Sequence, residues 1–304
     1  MAGYIVQRLL QGAAVLLLLT LAVFLMLALS GDPVRLLLPA DAPPEEVGRM
    51  RRALGLDDPL LVQYGRFLMR LASLDFGRSI QSGEPALQAA AARMPATLQL
   101  ALLSATLAFA AGLALGVVSA TRRGSWIDSA STTVSLAGQA LPVFWVALML
   151  VLLFSVKLRW LPPAGTGTLR HLVLPAGTLA LFLVGGIARV VRTSMIEVLG
   201  RPYIRAARAR GVGERRIIFR HAFKNAAIPI LTQFGLQLRF VVGGSVITES
   251  VFAWPGIGRL IANAAHARDF PVVQAAVFLV ASLLILTNLV MDVLYTWLNP
   301  RVRL

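Results

Sequence analysis

Long apolar runs separated by polar segments form the dominant pattern of this chain. Six runs are long enough to cross about 30 Å of hydrocarbon, which takes roughly 20 helical residues. We place them at approximately 9–29, 98–120, 131–156, 172–190, 225–248 and 272–296. Strands of a transmembrane barrel would instead be about ten residues long and would alternate polar with apolar positions. The pattern therefore predicts an all-α membrane protein, with six transmembrane helices in a single domain over residues 1–304.

The first apolar run could also be a cleavable signal peptide, because Arg8 precedes it and small residues follow near Ala28. The apolar core of a signal peptide is usually about 7 to 15 residues long, and this run of 21 residues is longer. We therefore interpret it as a transmembrane helix.

Composition and charge support a membrane location and suggest an orientation. With 57% hydrophobic and 14% charged residues, the protein has too little polar surface to cover a soluble globule. The net charge is +15, and residues 189–224 alone hold ten Lys/Arg against two acids. Since excess positive charge marks cytoplasmic loops, we expect both termini in the cytoplasm. We attribute the charge to topology and expect no nucleic-acid partner.

The segment 30–97 is expected to be an extracytoplasmic loop that contains helices. Residues 43–55 have acids early, arginines late and apolar residues at helical spacing. Residues 59–73 place Leu61, Tyr64, Leu68 and Leu71 on one helical face. Two short amphipathic helices on the outer surface are therefore predicted.

The cytoplasmic segment 191–224 combines basic and apolar positions. Pro202 suits the first turn of a helix that runs to Arg210, and Gly211 then interrupts the helical pattern before a second helix. That second helix is predicted to carry an apolar stripe of Ile218, Phe219, Ala222 and Phe223. Such a hairpin can adhere to anionic lipid heads or dock into a groove of a soluble partner. Composition leaves both interpretations open.

No nucleotide site is visible in the sequence. A P-loop needs a lysine directly after a glycine, whereas Lys157 and Lys224 follow a valine and a phenylalanine. If ATP drives this protein, a different subunit must bind it.

Catalytic and metal-binding patterns are equally scarce. Gly243-Gly244-Ser245 with His266 as base could suggest an intramembrane serine hydrolase. Small residues of this kind are more typical of close helix packing. The histidines stand far apart, at His171, His221 and His266. We therefore expect no catalytic residue and no metal site.

Arg239 lies well inside an apolar run, where an ionised group is costly unless it meets water or a partner. With Gln233 and Gln237 it is a candidate for lining a solute path. Pairing of Arg239 with an acid of a neighbouring helix or subunit explains the sequence equally well.

Several ordered motifs resemble one known family. The cytoplasmic hairpin, Tyr203-Ile-Arg-Ala-Ala-Arg-Ala-Arg-Gly211 followed by Arg220-His-Ala-Phe-Lys-Asn-Ala-Ala-Ile-Pro229, is similar to the EAA loop of permease subunits of binding-protein-dependent ABC importers. Further similarities span nearly the whole sequence and include Asp75-Phe76-Gly77-Arg78-Ser79, Phe252-Ala253-Trp254-Pro255-Gly256 and Arg268-Asp269-Phe270-Pro271. The sequence is most similar to the first permease of dipeptide, oligopeptide, glutathione and nickel systems.

This resemblance implies a type I ABC importer permease fold that works by alternating access. It also implies that the hairpin contacts the ATPase subunit through Arg205, Ala206, Ala207, Arg208, Gly211 and Glu214. Arg205 stands where the family motif has an acid, so the resemblance does not imply an acid-dependent contact here.

The implied partners are a homologous second permease, two cytoplasmic ATPase subunits that bind ATP and Mg, and a periplasmic solute-binding protein. The implied location is the bacterial inner membrane, and no cofactor is expected in this protein. The solute stays open between di- or oligopeptides, glutathione and a nickel chelate. An ATP-independent secondary transporter is the alternative from another class, and it should show intramembrane acids for ion coupling.

Overall fold

The structure is a computed structural model that describes residues 2–29, 34, 38, 42–53 and 55–298, without the side chains of 2, 4, 5, 27, 239, 240, 242–244 and 294–298. The helices of the described residues are, in sequence order, α1 (Ala2–Leu29), α2 (Pro44–Ala53), α3 (Leu60–Ala72), α4 (Ala86–Ala91), α5 (Met94–Thr121), α6 (Trp126–Ala140), α7 (Val143–Leu150), α8 (Arg170–Leu199), α9 (Pro202–Ala209), α10 (Glu214–Arg216), α11 (Phe223–Gly244), α12 (Val246–Val251), α13 (Ile257–His266) and α14 (Phe270–Leu298). Two π-helical segments continue α7 and join α10 to α11, at Val151–Lys157 and Ile217–Ala222.

Four helical stretches of the described residues are long and apolar enough to cross a membrane: Val6–Met26, Ala86–Thr121, Arg170–Leu199 and Phe270–Val293. They coincide with most of the predicted spans 9–29, 98–120, 172–190 and 272–296. Most of the predicted span 225–248 is occupied by α11, which ends at Gly244. The prediction of an all-helical membrane protein is confirmed.

The predicted span 131–156 is not one straight helix. It consists of α6 and α7 with its π-helical continuation, and the two halves are bent by 105°. The bend falls at Leu141, which is extended with φ −82° and ψ 137°, immediately before Pro142. Proline disfavours a helical conformation of the preceding residue and offers no N–H to the helix. Counted as one span, this pair raises the number of candidate spans in the described residues to five.

Helix α8 extends nine residues beyond the predicted end of its span at 190 and stops at Leu199. Arg192 and Glu197 end the apolar run without ending the helix, because arginine and glutamate are good helix formers. The segment 191–224 therefore begins inside α8.

The protein divides into two compact units, of which the first comprises residues 1–95 and 256–286. Its core contains a series of aromatic contacts in which neighbouring ring centroids lie 5.3 to 6.4 Å apart, formed by Phe24, Tyr64, Phe67, Phe76 and Phe278. These rings join α1, α3 and α14 to the loop before α4. Ser79 also donates a hydrogen bond to the buried Asp269. The two amphipathic helices predicted in 43–73 are confirmed as α2 and α3, although Leu61 is 85% exposed instead of facing the core.

The second unit comprises residues 96–255 and 287–304, and α8 lies at its centre. Helix α8 packs against α6, α7 and α11. Small residues permit close approach of α5 to α8. A Cβ added to Gly116 of α5 would lie 2.5 Å from the Cβ of Val191 and 2.7 Å from the carbonyl oxygen of Ala188, both in α8. Membrane helices associate through such small residues because burial of apolar surface gives little driving force in lipid.

Candidate functional site

The hairpin of α9, α10 and the following π-helical segment, which the charge pattern predicted to be cytoplasmic, contains three fully buried apolar residues. Ile204 of α9 and Ile217 and Ala222 of the π-helical segment are each 0% exposed. The remaining residues of α9 are exposed or half-buried. One side of the hairpin is therefore anchored, and the other is available to a partner.

Gly211 follows the last residues of α9, where the sequence predicted an interruption of the helix. Its φ is +77°, which is the left-handed region. The Gly211 N–H donates to the Arg208 carbonyl at 2.9 Å, and the Val212 N–H donates to the Ala207 carbonyl at 3.2 Å. This pair of bonds is the Schellman arrangement, in which glycine avoids the steric penalty of a positive φ.

A bidentate ion pair closes the same turn. Arg208 Nε lies 2.6 Å from Glu214 Oε1, and Arg208 Nη2 lies 3.2 Å from Glu214 Oε2. The bond from Arg208 lowers the pKa of the Glu214 carboxyl below its usual value of 4.5. Two of the predicted coupling residues thus contact each other across the glycine turn.

The outward side of the hairpin is basic with exposed aromatic rings. Tyr203 is 44% exposed and Phe219 is 62% exposed. A shallow depression of about 550 Å³ is lined by Gly213, Arg215, Arg216 and Phe219. The predicted apolar stripe is only partly correct, because Ala222 is buried while Phe219 points outward. A π-helical segment has more residues per turn than an α-helix, which shifts the faces that a 3.6-residue period assigns.

The predicted solute-path residues Gln233 and Gln237 lie together on α11, against α8. A Cβ placed on Gly186 would meet Gln237 Nε2 at 2.5 Å and Gln233 Nε2 at 3.2 Å. Gln139 of α6, which the sequence analysis did not select, reaches the same point, with its Nε2 at 3.1 Å. The side chain of Arg239 lies outside the described residues, so its predicted role stays a prediction.

An ion-pair cluster missed by the sequence analysis joins α5, α6 and α8. Arg192 binds Asp128 through Nε at 2.7 Å and Nη2 at 2.8 Å. Ser119 donates to the same carboxylate, and the Gly124 N–H donates to Asp128 Oδ2 at 3.0 Å. Asp128 and Arg192 are 64 positions apart, so no local pattern could have paired them.

A second buried carboxylate was also missed. Glu249 of α12 is 0% exposed, and its Oε1 accepts hydrogen bonds from Thr97 at 2.8 Å and Ser245 at 2.9 Å. Ser245 is itself only 1% exposed. Its hydroxyl is engaged in this packing contact, which favours the packing interpretation of Gly243-Gly244-Ser245 over a hydrolase nucleophile.

Taken with the apolar helices, these features define a class. Long membrane-spanning helices carry half-buried polar side chains, and a helical hairpin beside them presents an exposed, positively charged surface. This is the organisation of a multi-spanning membrane protein.

Comparison with known proteins identifies the family. The chain belongs to the binding-protein-dependent transport system inner membrane components, whose family model matches residues 112–304, and the model of their N-terminal part matches residues 1–101. It is therefore the permease subunit of a bacterial ABC importer, in which separate subunits hydrolyse ATP, and a multi-pass protein of the inner membrane. The resemblance seen in the sequence is confirmed.

Individual relatives match over nearly their full length. A Brucella abortus permease protein provisionally assigned to a peptide transport system is 43% identical, over 100% of this protein and 99% of the relative. The glutathione transport system permease protein of Salmonella typhi is 40% identical, over 100% of this protein and 99% of the relative.

The fold is also that of a solved transporter. An inward-facing structure of the MetNI methionine ABC transporter superposes with a TM-score of 0.62 at 19% identity, over 71% of this protein and 99% of the solved one. The predicted type I importer fold is therefore confirmed.

Proposed function

We propose that this permease imports di- or oligopeptides, or small peptide-like solutes such as glutathione, from the periplasm to the cytoplasm. The support comes from full-length relatives assigned to peptide and glutathione transport. A nickel chelate, the third solute left open by the sequence, stays an alternative within the same family.

The cytoplasmic hairpin is the proposed contact with the ATPase. Arg205, Ala206, Arg208, Gly211 and Glu214 are exposed on it, and Ala207 is half-buried. The observation that supports this contact is the ordered construction of an exposed element: Ile204 is buried, a Schellman turn follows α9, and a bidentate ion pair closes that turn. An ordered hairpin can pass a movement of the ATPase on to the membrane helices. Adhesion to anionic lipid heads, by contrast, requires only basic residues near the membrane surface.

The proposed assembly contains a homologous second permease, two cytoplasmic ATPase subunits that bind ATP and Mg, and a periplasmic solute-binding protein. Both termini would face the cytoplasm, on the same side as the basic hairpin. ATP-driven closure of the ATPases would move the two hairpins and open the cavity outward, and hydrolysis would return it to the inward-open state.

The decisive experiment is reconstitution of the purified assembly in proteoliposomes. ATPase subunits should co-purify with this permease, and uptake of trialanine or glutathione should require ATP and the liganded binding protein. Uptake that persists after removal of every ATPase subunit would contradict the proposal and favour a secondary transporter.

A further inference from the structure

Three glutamine side chains from two helices converge on one glycine of a third. Gln139 lies on α6, Gln233 and Gln237 lie on α11, and the Nε2 atoms of all three approach the position where Gly186 of α8 would carry a Cβ, at 2.5 to 3.2 Å. Any residue larger than glycine at 186 would displace these amides. Gly186 therefore allows the three carboxamides to face one common point.

Most donors and acceptors of these three side-chain amides make no hydrogen bond within the described residues. Among the described residues, the side chains of Gln233 and Gln237 have no hydrogen-bond partner, and the only side-chain bond of Gln139 is to its Oε1, from Arg189. All three glutamines are half-buried. Each carboxamide offers two N–H donors and an acceptor oxygen. Leaving such groups in hydrocarbon costs several kcal/mol each, so they must face water, a ligand or another protein.

Arg189 joins the cluster to a small cavity between α5, α6 and α8. It is exposed, orients Gln139 through the bond to Oε1, and borders a cavity of about 150 Å³ that is also lined by Ser119, Ser131 and Ser135. A guanidinium has five N–H donors arranged to bind a carboxylate through two parallel bonds. Among the described residues, the other donors of Arg189 have no hydrogen-bond partner, and they lie beside Gln139.

We propose that Gln139, Gln233 and Gln237, together with Arg189, form a binding site for the solute inside the permease. The amides would pair with backbone C=O and N–H groups of a peptide, and Arg189 would bind its terminal carboxylate. This inference rests on the proposed function and adds a recognition step within the membrane. Binding at this site should be weak, because a transport pathway must release what it binds.

A single added methyl group tests the site. Gly186→Ala places a Cβ against all three amides, whereas Gly177→Ala makes the same change in the same helix with no atom within 4 Å of the new Cβ. Gln237→Leu is the second variant, which removes the nearest amide without adding a group to α8. Each variant is reconstituted with its ATPases and with binding protein saturated by trialanine or by glutathione.

The readout is solute taken up per ATP hydrolysed, with the amount of second permease in the purified complex measured in parallel. Loss of one or two hydrogen bonds to the solute, at about 1 kcal/mol each, should lower uptake about fivefold or more. Complex composition should be unchanged in Gly186→Ala and Gln237→Leu, and Gly177→Ala should match the wild type in both uptake and ATP hydrolysis.

Two results would overturn the site. Unchanged uptake in Gly186→Ala and Gln237→Leu, beside active wild type, would show that the amides do not bind solute. Loss of the second permease from both variants would show that the amides hold the two permeases together instead. Failure of the wild type to import either probe with ATP would be a different result, which refutes the proposed function and the site with it.

Discussion

Replacing Gly211 with alanine should weaken coupling between this permease and its ATPase. Gly211 has φ +77°, and no atom lies within 4 Å of a Cβ placed there. The substitution therefore introduces no collision with a neighbour, and its whole effect is the backbone penalty for a non-glycine residue in the left-handed region. That penalty is about 1 to 2 kcal/mol.

A penalty of this size lowers the ratio of correctly folded to misfolded turn by a factor of about 5 to 30. Because the Schellman bonds and the Arg208–Glu214 pair both depend on the turn, the hairpin should lose its fixed shape. Co-purification of ATPase subunits and ATP-dependent uptake in proteoliposomes should fall together. Gly211→Asn should be milder, since asparagine tolerates the left-handed region better than alanine.

Gly200→Ala provides the matched control. Gly200 lies at the end of α8 with φ −80°, and its added Cβ would make only ordinary contacts at 3.5 Å. This variant should couple normally. The role of the turn geometry in coupling would be refuted if Gly211→Ala and Gly200→Ala gave equal ATPase co-purification and equal ATP-dependent uptake. Full uptake by Gly211→Ala would refute it as well.

Three further predictions concern stability and pH. Arg192→Ala should lower the melting temperature of the purified permease, because it leaves the buried Asp128 carboxylate without its cation, and adding Asp128→Ala should restore part of the loss. Gly116→Ala should destabilise the permease by about 1 to 3 kcal/mol through overpacking against α8, measured by thermal unfolding in detergent. The Arg208–Glu214 pair should stabilise the hairpin at neutral pH and lose this effect only as the pH falls below about 4.5, through the lowered pKa of Glu214.

Controls make these three predictions specific. Gly177→Ala should leave the melting temperature unchanged or raised, since its Cβ meets open space. Glu214→Gln should weaken the hairpin at neutral pH and should remove the part of the acid-induced fall in melting temperature that the Arg208–Glu214 pair causes. A double variant of the Asp128 and Arg192 pair that is less stable than Arg192→Ala alone would contradict the first prediction. A Glu214→Gln protein whose melting temperature falls as much on acidification as that of the wild type would contradict the third.

Local patterns in the sequence were sufficient for much of the architecture. Apolar runs of about 20 residues have one stable state in a bilayer, so the long helices could be located before any contact was known. The amphipathic helices α2 and α3 and the turn at Gly211 also follow from local rules, because capping, turn chemistry and periodicity act within a few residues. The bend before Pro142 was within reach of the same rules but was not predicted, because the apolar run continues through it.

Contacts between distant residues were decided by the tertiary structure alone. Nothing within the apolar run predicts that Gln139 meets Gln233 and Gln237 at Gly186, because the meeting depends on how α6 and α11 pack on α8. Nor does the sequence predict that Asp128 pairs with Arg192. Charged residues were used there only to assign loops to the cytoplasmic side. Sequence thus determined which segments enter the membrane, since transfer into lipid depends on local composition. Packing determined which polar groups face each other, since that depends on the relative positions of helices far apart in the sequence.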